Sequence, residues 1–220
     1  MNPPIRARKA AQVPRERRVP DVILASASPR RRRLLKRIVP VFKVLATDVD
    51  EDKFRSDDPG RYALRAAKAK ARAGARVHPG DLIIAADTLV SLGRRIFGKP
   101  GTRDQARSML AALSGRRHRV VTAVVLYRAR PRRMLTGSET SRVTFKRLGA
   151  GDIEAYLDSV EYTDKAGAYA IQEFGDRLVA RLEGDYDNVV GLPVGLTRRL
   201  LEKWTGRPSP RRSARRRSNG

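Results

Sequence analysis

Apolar and polar positions along the chain fall into blocks that predict strands and helices in turn. Val22-Ile-Leu-Ala is a short apolar strand that passes through Ser26-Ala-Ser-Pro29 into Arg30-Arg-Arg-Arg-Leu34-Leu35, the first turns of a helix. Phe42 to Val49 predicts a second strand that runs into the acidic stretch Asp48-Val-Asp50-Glu51-Asp52, and Pro59-Gly60 a turn. Tyr62 to Arg76 is Ala-rich with Lys and Arg at helical spacing, a helix stopped by Val77-His-Pro-Gly-Asp81. Leu82 to Leu92 is long and apolar enough for a central strand, and Arg103 to Leu113 reads as a helix closed by Ser114-Gly115. Val120 to Arg128 and Glu139 to Leu148 predict two strands of one sheet. The second alternates Ser141, Val143, Phe145 with Arg142, Thr144, Lys146. A short helix over Gly151 to Ser159, a short strand over Leu178 to Leu182 and a last helix from Pro193 to about Trp204 complete the pattern.

Strands and helices alternate in the first half, and paired strands sit in the second. The fold class expected is therefore α/β, with a mixed central β-sheet flanked by helices in one domain over residues 21–205. A hydrophobic fraction of 40% is enough for a packed core at this length. Residues 1–20 are Arg-rich, with prolines at 3, 4, 14 and 20 that break any long helix, and 206–220 are Arg-rich and of low complexity, which predicts a disordered N-terminal arm and a disordered C-terminal tail.

The chain carries 48 Lys and Arg against 23 Asp and Glu, a formal charge of +25, which points to an anionic partner such as nucleic acid or phosphorylated small molecules. The two tails hold +5 and +6 of that charge and the body +14. Aromatic content of 5% leaves few stacking platforms for single-stranded nucleic acid. Cysteine is absent and there are two histidines, which removes disulfides, thiolate chemistry and Cys/His zinc sites and leaves oxygen ligands for any metal. No stretch has the length of a membrane span or the form of a secretory signal, so a cytoplasmic protein without membrane contact is expected.

Three places along this pattern carry candidate chemistry. Ser28 suits an N-cap and Pro29 the first helical position, so the free amides of the helix start and the forked donors of Arg30 and Arg31 can meet phosphate oxygens. In Leu82-Ile-Ile-Ala-Ala-Asp87-Thr88-Leu-Val90 a lone carboxylate interrupts a buried run, and such an acid needs a cation, a metal or a reacting water. The acidic stretch that includes Glu51 offers hard oxygen ligands of the kind Mg²⁺ accepts. Gly93-Arg-Arg-Ile-Phe-Gly98-Lys99-Pro100 has the spacing of a phosphate loop but puts proline where the metal-binding hydroxyl belongs, so Lys99 remains only a point charge for phosphate. Taken alone, Lys70 and Lys165 read as surface residues, His118 as a strand-end residue and His78 as a solvated turn residue. Gln172 either offers its amide to a base edge or satisfies backbone groups.

Together, Ala-Ser-Ala-Ser-Pro-Arg-Arg, Asp-Val-Asp-Glu, Lys-Ala-Lys-Ala-Arg-Ala, Ala-Ala-Asp-Thr, Gly-Lys-Pro, Leu-Ser-Gly-Arg-Arg-His, Asp-Lys-Ala-Gly-Ala-Tyr-Ala-Ile-Gln and Val-Val-Gly-Leu-Pro resemble the Maf family of nucleoside triphosphate pyrophosphatases over roughly Val22 to Lys203. The resemblance implies a Maf/ITPase-like fold, hydrolysis of a nucleoside triphosphate to the monophosphate and pyrophosphate, a divalent cation (Mg²⁺ or Mn²⁺) and a homodimer. It implies Asp87 as proton acceptor, Arg30, Thr88 and Gln172 as specificity positions, and Ser26, Arg31, Glu51, Lys70 and Lys99 as further active-site positions; joined to the charges read above, Ser26, Arg31, Lys70 and Lys99 are expected on the phosphates and Glu51 and Asp87 on the metal. The stretch ending in Gln172 is similar to the subgroup that acts on dTTP and UTP, as against the one that handles 7-methyl-GTP. Glu173 departs from the pattern, standing where a glycine often follows. Whether Asp87 acts as base or as metal ligand stays open at this level. The rival class is a nucleic-acid-binding accessory protein that works through its basic tails, but an acid within an apolar strand and an acidic loop beside a phosphate site would repel a polyanion.

Overall fold

The structure, a computed structural model, describes residues 21–173 and 175–206. The expectations for the arm 1–20 and for the tail beyond Gly206, including nucleic-acid binding through them, fall outside the described residues.

Among the described residues, seven strands form one mixed sheet in the order β2-β1-β3-β5-β6-β7, with β4 paired to β3 beside this path. β1 (Val22–Leu24) lies parallel to both β2 (Lys43–Val44) and β3 (Leu82–Leu92). β3 pairs antiparallel with β4 (Arg95–Phe97) and with β5 (Arg117–Arg128), and a hairpin joins β5 to β6 (Arg133–Phe145), whose far edge receives β7 (Val179–Glu183). The α-helices are α1 (Pro29–Lys36), α2 (Pro59–Val77), α3 (Arg103–Leu113), α4 (Ala150–Ser159), α5 (Gly175–Leu178), α6 (Tyr186–Val190) and α7 (Val194–Thr205), with 3₁₀ turns at Glu51–Phe54 and Ala166–Ala168.

Side chains of a strand alternate between faces, and β3 uses both. Ile83, Ala85 and Leu89 pack with Ala63, Ala66, Ala67 and Ala71 of α2, while Ile84 and Ala86 pack with Leu34 and Leu35 of α1 and Leu200 and Trp204 of α7. A third cluster joins Val90 and Phe97 to Leu110 of α3, Tyr156 of α4, Phe145 and Tyr169. Small residues let α2 approach the sheet closely: a Cβ on Gly74 would stand 3.0 Å from Ile83 Cγ2. On the other face, a Cβ on Gly137 would stand 2.8 Å from Leu196 Cδ1, so glycine is what allows β6 to pass under α7.

The expected mixed α/β sheet is present, with corrections at element ends. β2 spans two residues instead of the run Phe42 to Val49, because the chain after Val44 leaves the sheet edge to place the acidic segment. Pro59-Gly60 is no turn: Asp58 caps α2 through the Arg61 N–H at 2.9 Å, and Pro59 takes the first helical position. β6 starts at Arg133, before the expected Glu139, and ends at Phe145, before the expected Leu148, and Leu178 closes α5 before β7 begins.

Candidate functional site

The site is built where β3, the start of α1, the 3₁₀ turn at 51–54 and α2 converge. Asp87 shares its face of β3 with Ala85 and Leu89 and so points toward α2, while Thr88 points toward α1. On α2, Lys70 falls in the same helical stripe as Ala63, Ala66, Ala67 and Gly74, which carries its ammonium to the sheet instead of to water. Lys70 is 7% exposed and Asp87 2%. Lys70 Nζ lies 2.6 Å from Asp87 Oδ1 and 2.8 Å from Glu51 Oε1, and Lys99 Nζ lies 3.2 Å from the same Glu51 oxygen. The buried acid predicted on β3 thus meets a cation, and that cation is one the sequence pattern placed on the surface.

Arg31 organises the other side. Its Nε donates to the Gly191 carbonyl at 2.9 Å, Nη2 to Thr88 Oγ1 at 3.1 Å and Nη1 to Ser26 Oγ at 3.4 Å. Ser28 caps α1, its Oγ accepting from the Arg31 N–H at 3.4 Å. Thr88 is fixed further by a 2.9 Å hydrogen bond with Thr122, whose hydroxyl donates to the Asn188 carbonyl at 2.9 Å. Arg30 reaches across to Asp164, at 3.0 Å.

These side chains line one cleft of about 300 Å³, which includes Ser26, Arg30, Arg31, Glu51, Lys70, Asp87, Thr88 and Lys99. A smaller cavity of about 50 Å³ adjoins it through Arg30, Thr88, Ala166 and Val190 and is walled by Lys165, Tyr169, Ala170 and Gln172. The sequence-predicted positions are therefore brought together. Gln172 alone stands apart from the carboxylates, in the adjoining cavity. His118, read as a strand-end residue, lies at the second position of β5, 1% exposed, with Nε2 2.8 Å from Tyr169 Oη. His78 is not simply solvated, since its Nδ1 stands 3.4 Å from Asp81.

Burial raises the Asp87 carboxyl above the ordinary carboxylate range, and Lys70 and Arg31 offset this only in part. Burial also acts upward on Glu51, but Lys70 and Lys99 outweigh it and hold that carboxyl below its usual value. Desolvation lowers Arg31, against the pull of Asp87 and Glu51. One carboxylate is thus suited to taking a proton and its neighbour to staying charged.

Among the described residues, no group of three or more His, Cys, Asp or Glu could hold a metal ion. A pair of carboxylates is present, and Asp87 Oδ2 is buried with no hydrogen-bond partner. That donor set fits a hard cation such as Mg²⁺, which takes one or two carboxylates and completes its sphere with water and phosphate. No described helix is long and apolar enough to cross a membrane.

Residues 21–204 match the family model described as "Maf-like protein". A dTTP/UTP pyrophosphatase of Pyrococcus furiosus is 45% identical over 181 residues, covering 82% of this chain and 94% of that one. A dTTP/UTP pyrophosphatase of Myxococcus xanthus is 45% identical over 193 residues, covering 88% and 96%. Among solved structures, the Staphylococcus aureus Ham1 protein aligns over 84% of this chain and 99% of its own at 16% identity, with a TM-score of 0.47.

Proposed function

Since this chain belongs to the Maf-like family, we propose that it hydrolyses dTTP and UTP between the α and β phosphates, releasing the nucleoside monophosphate and pyrophosphate. The observation that carries the reading is the buried Asp87, with one oxygen on Lys70 and the other unpartnered, set opposite the arginine-bearing start of α1 in a single cleft.

The triphosphate enters against Arg30, Arg31, Lys99 and the positive end of the α1 dipole, which neutralise its charge; the Arg31 and Arg32 N–H groups are already held by Ser28, so the side chains carry most of this. Asp87 Oδ2 accepts a proton from the attacking water, a role that its raised pKa suits, and the water oxygen forms the new bond to the α-phosphorus. The bond to the bridging oxygen breaks, and the charge that collects on the departing pyrophosphate meets Lys70 and Lys99. Glu51 and Asp87 are the residues that would hold a Mg²⁺ or Mn²⁺ ion, which supplies further charge neutralisation on the phosphates when bound. Lys70 keeps the two carboxylates from repelling each other. Thr88 and Gln172, with Arg30, border the adjoining cavity, and we assign them to recognition of the pyrimidine base. The same family resemblance supports a homodimer, and a nucleoside triphosphate substrate supports a cytoplasmic location.

Incubating the protein with UTP, dTTP, GTP and 7-methyl-GTP and separating pyrophosphate from orthophosphate tests the reading. Pyrophosphate from UTP and dTTP in preference to the purine nucleotides is expected. Orthophosphate as the inorganic product, or a preference for 7-methyl-GTP, would overturn it.

A further inference from the structure

The segment 161–173 carries Gln172 and walls the smaller cavity, and one buried side chain ties its two ends together. Lys165 is 4% exposed; its Nζ lies 2.9 Å from Asp164 Oδ1 and 3.3 Å from Glu173 Oε2, and it donates to the Glu161 carbonyl. Glu161 and Asp164 stand at the entry of the segment and Glu173 at its exit, next to Gln172 in the chain. Between these ends the segment is braced by the Ala170 N–H on Tyr156 Oη at 3.0 Å and by the Gly167 N–H on the Gly98 carbonyl at 3.0 Å. We propose that Lys165 is a positioning residue for base selection: by joining Glu161 and Asp164 to Glu173 it sets where the Gln172 amide stands at the edge of the cleft.

The inference rests on the reading of this cleft as a pyrimidine nucleotide site. An ammonium in so dry a place is costly unless its donors are satisfied, and here three acceptors meet it, so although Lys165 borders the smaller cavity its ammonium is spent on the segment. Glu173 is the position where the chain departs from the family pattern, and the structure gives that departure a partner. Asp164 also holds Arg30, at 3.0 Å, so the charges Arg30, Asp164, Lys165 and Glu173 form a continuous row from the phosphate-side helix to the base-side segment. A nucleotide that engages Arg30 thereby acts on the element that carries Gln172.

The test is calorimetric binding of UTP and of inorganic tripolyphosphate to the full chain in EDTA, where turnover does not interfere. Tripolyphosphate has the phosphates without the base. Lys165→Met keeps an unbranched apolar stem and leaves Asp164 and Glu173 partly exposed to water, so the fold should survive. UTP affinity is expected to fall about tenfold, the scale of one misplaced polar contact, and tripolyphosphate affinity by less than about threefold. Lys165→Arg should recover most of the loss, and Glu173→Gln should fall between. Equal losses for both ligands, an unchanged UTP affinity, or a wild-type chain with no preference for UTP over tripolyphosphate would overturn the assignment. A wild-type enzyme that released orthophosphate from UTP would instead sink the proposed reaction and leave these affinities standing.

Discussion

Lys70→Met removes the ammonium that stands between Glu51 and Asp87 while keeping much of the apolar stem. That ammonium lies 2.8 Å from Glu51 Oε1 and 2.6 Å from Asp87 Oδ1, and without it Asp87, 2% exposed, faces a second carboxylate. Breaking a buried pair by removing one partner costs about 3–5 kcal/mol when the stranded charge cannot escape. Asp87 can escape by binding a proton, which fixes the sign of the pH dependence. Its folded pKa already lies above the ordinary value, so the ionised form destabilises the fold as pH rises through that pKa. Without Lys70 the folded pKa rises further, and the variant's deficit against wild type should be smallest in acid and largest at neutral and alkaline pH. Urea unfolding of both proteins at pH 5 and pH 8 in EDTA measures this, and the acid limb of UTP turnover should move to higher pH in the variant. Equal deficits at the two pH values, with an unmoved acid limb, would refute the idea that Lys70 controls the protonation of Asp87.

Burial holds His118 down at about 4, against about 6.5 in an unfolded chain, so its contribution is intact above the unfolded value and lost as pH falls through this window. About 2 kcal/mol of stability should be gone by pH 5, and His118→Phe, which keeps a ring against Phe145 and Tyr169, should flatten that dependence in urea titrations at pH 7.5 and 5. Asp164→Asn should release Arg30 and take a negative charge from the rim of the cleft, tightening tripolyphosphate binding by at most about fivefold, because the Asp164 carboxylate is about half in water. An unchanged or weaker affinity by calorimetry would contradict that.

The placement of the cleft's residues is legible in the sequence wherever a residue breaks a local pattern. Asp87 interrupts an apolar strand, and Ser28-Pro29 followed by arginines is the signature of a helix start that faces anions, and both lie where that reasoning put them. Apart from the family resemblance, Lys70 is hidden because Lys-Ala-Lys-Ala-Arg-Ala looks like a solvated helix face. Only its phase with Ala63, Ala66, Ala67 and Gly74 separates it from the neighbouring Lys68 and marks it as facing the sheet. Lys165 offered no such signal, since its burial comes from a loop folding back on itself and not from periodicity. Element ends were hard to read for similar reasons. Asp58 and Pro59 serve a cap and a first helical turn as well as they would serve a bend, and Gly137 sits inside a strand because α7 leaves no room for a side chain.

The proposed reaction turns on Asp87 activating water for attack, and Asp87→Asn tests that with nearly unchanged shape. Turnover of UTP should fall by about 10²–10⁴-fold while UTP affinity stays within a few-fold of wild type. A variant that releases pyrophosphate at close to the wild-type rate would contradict it.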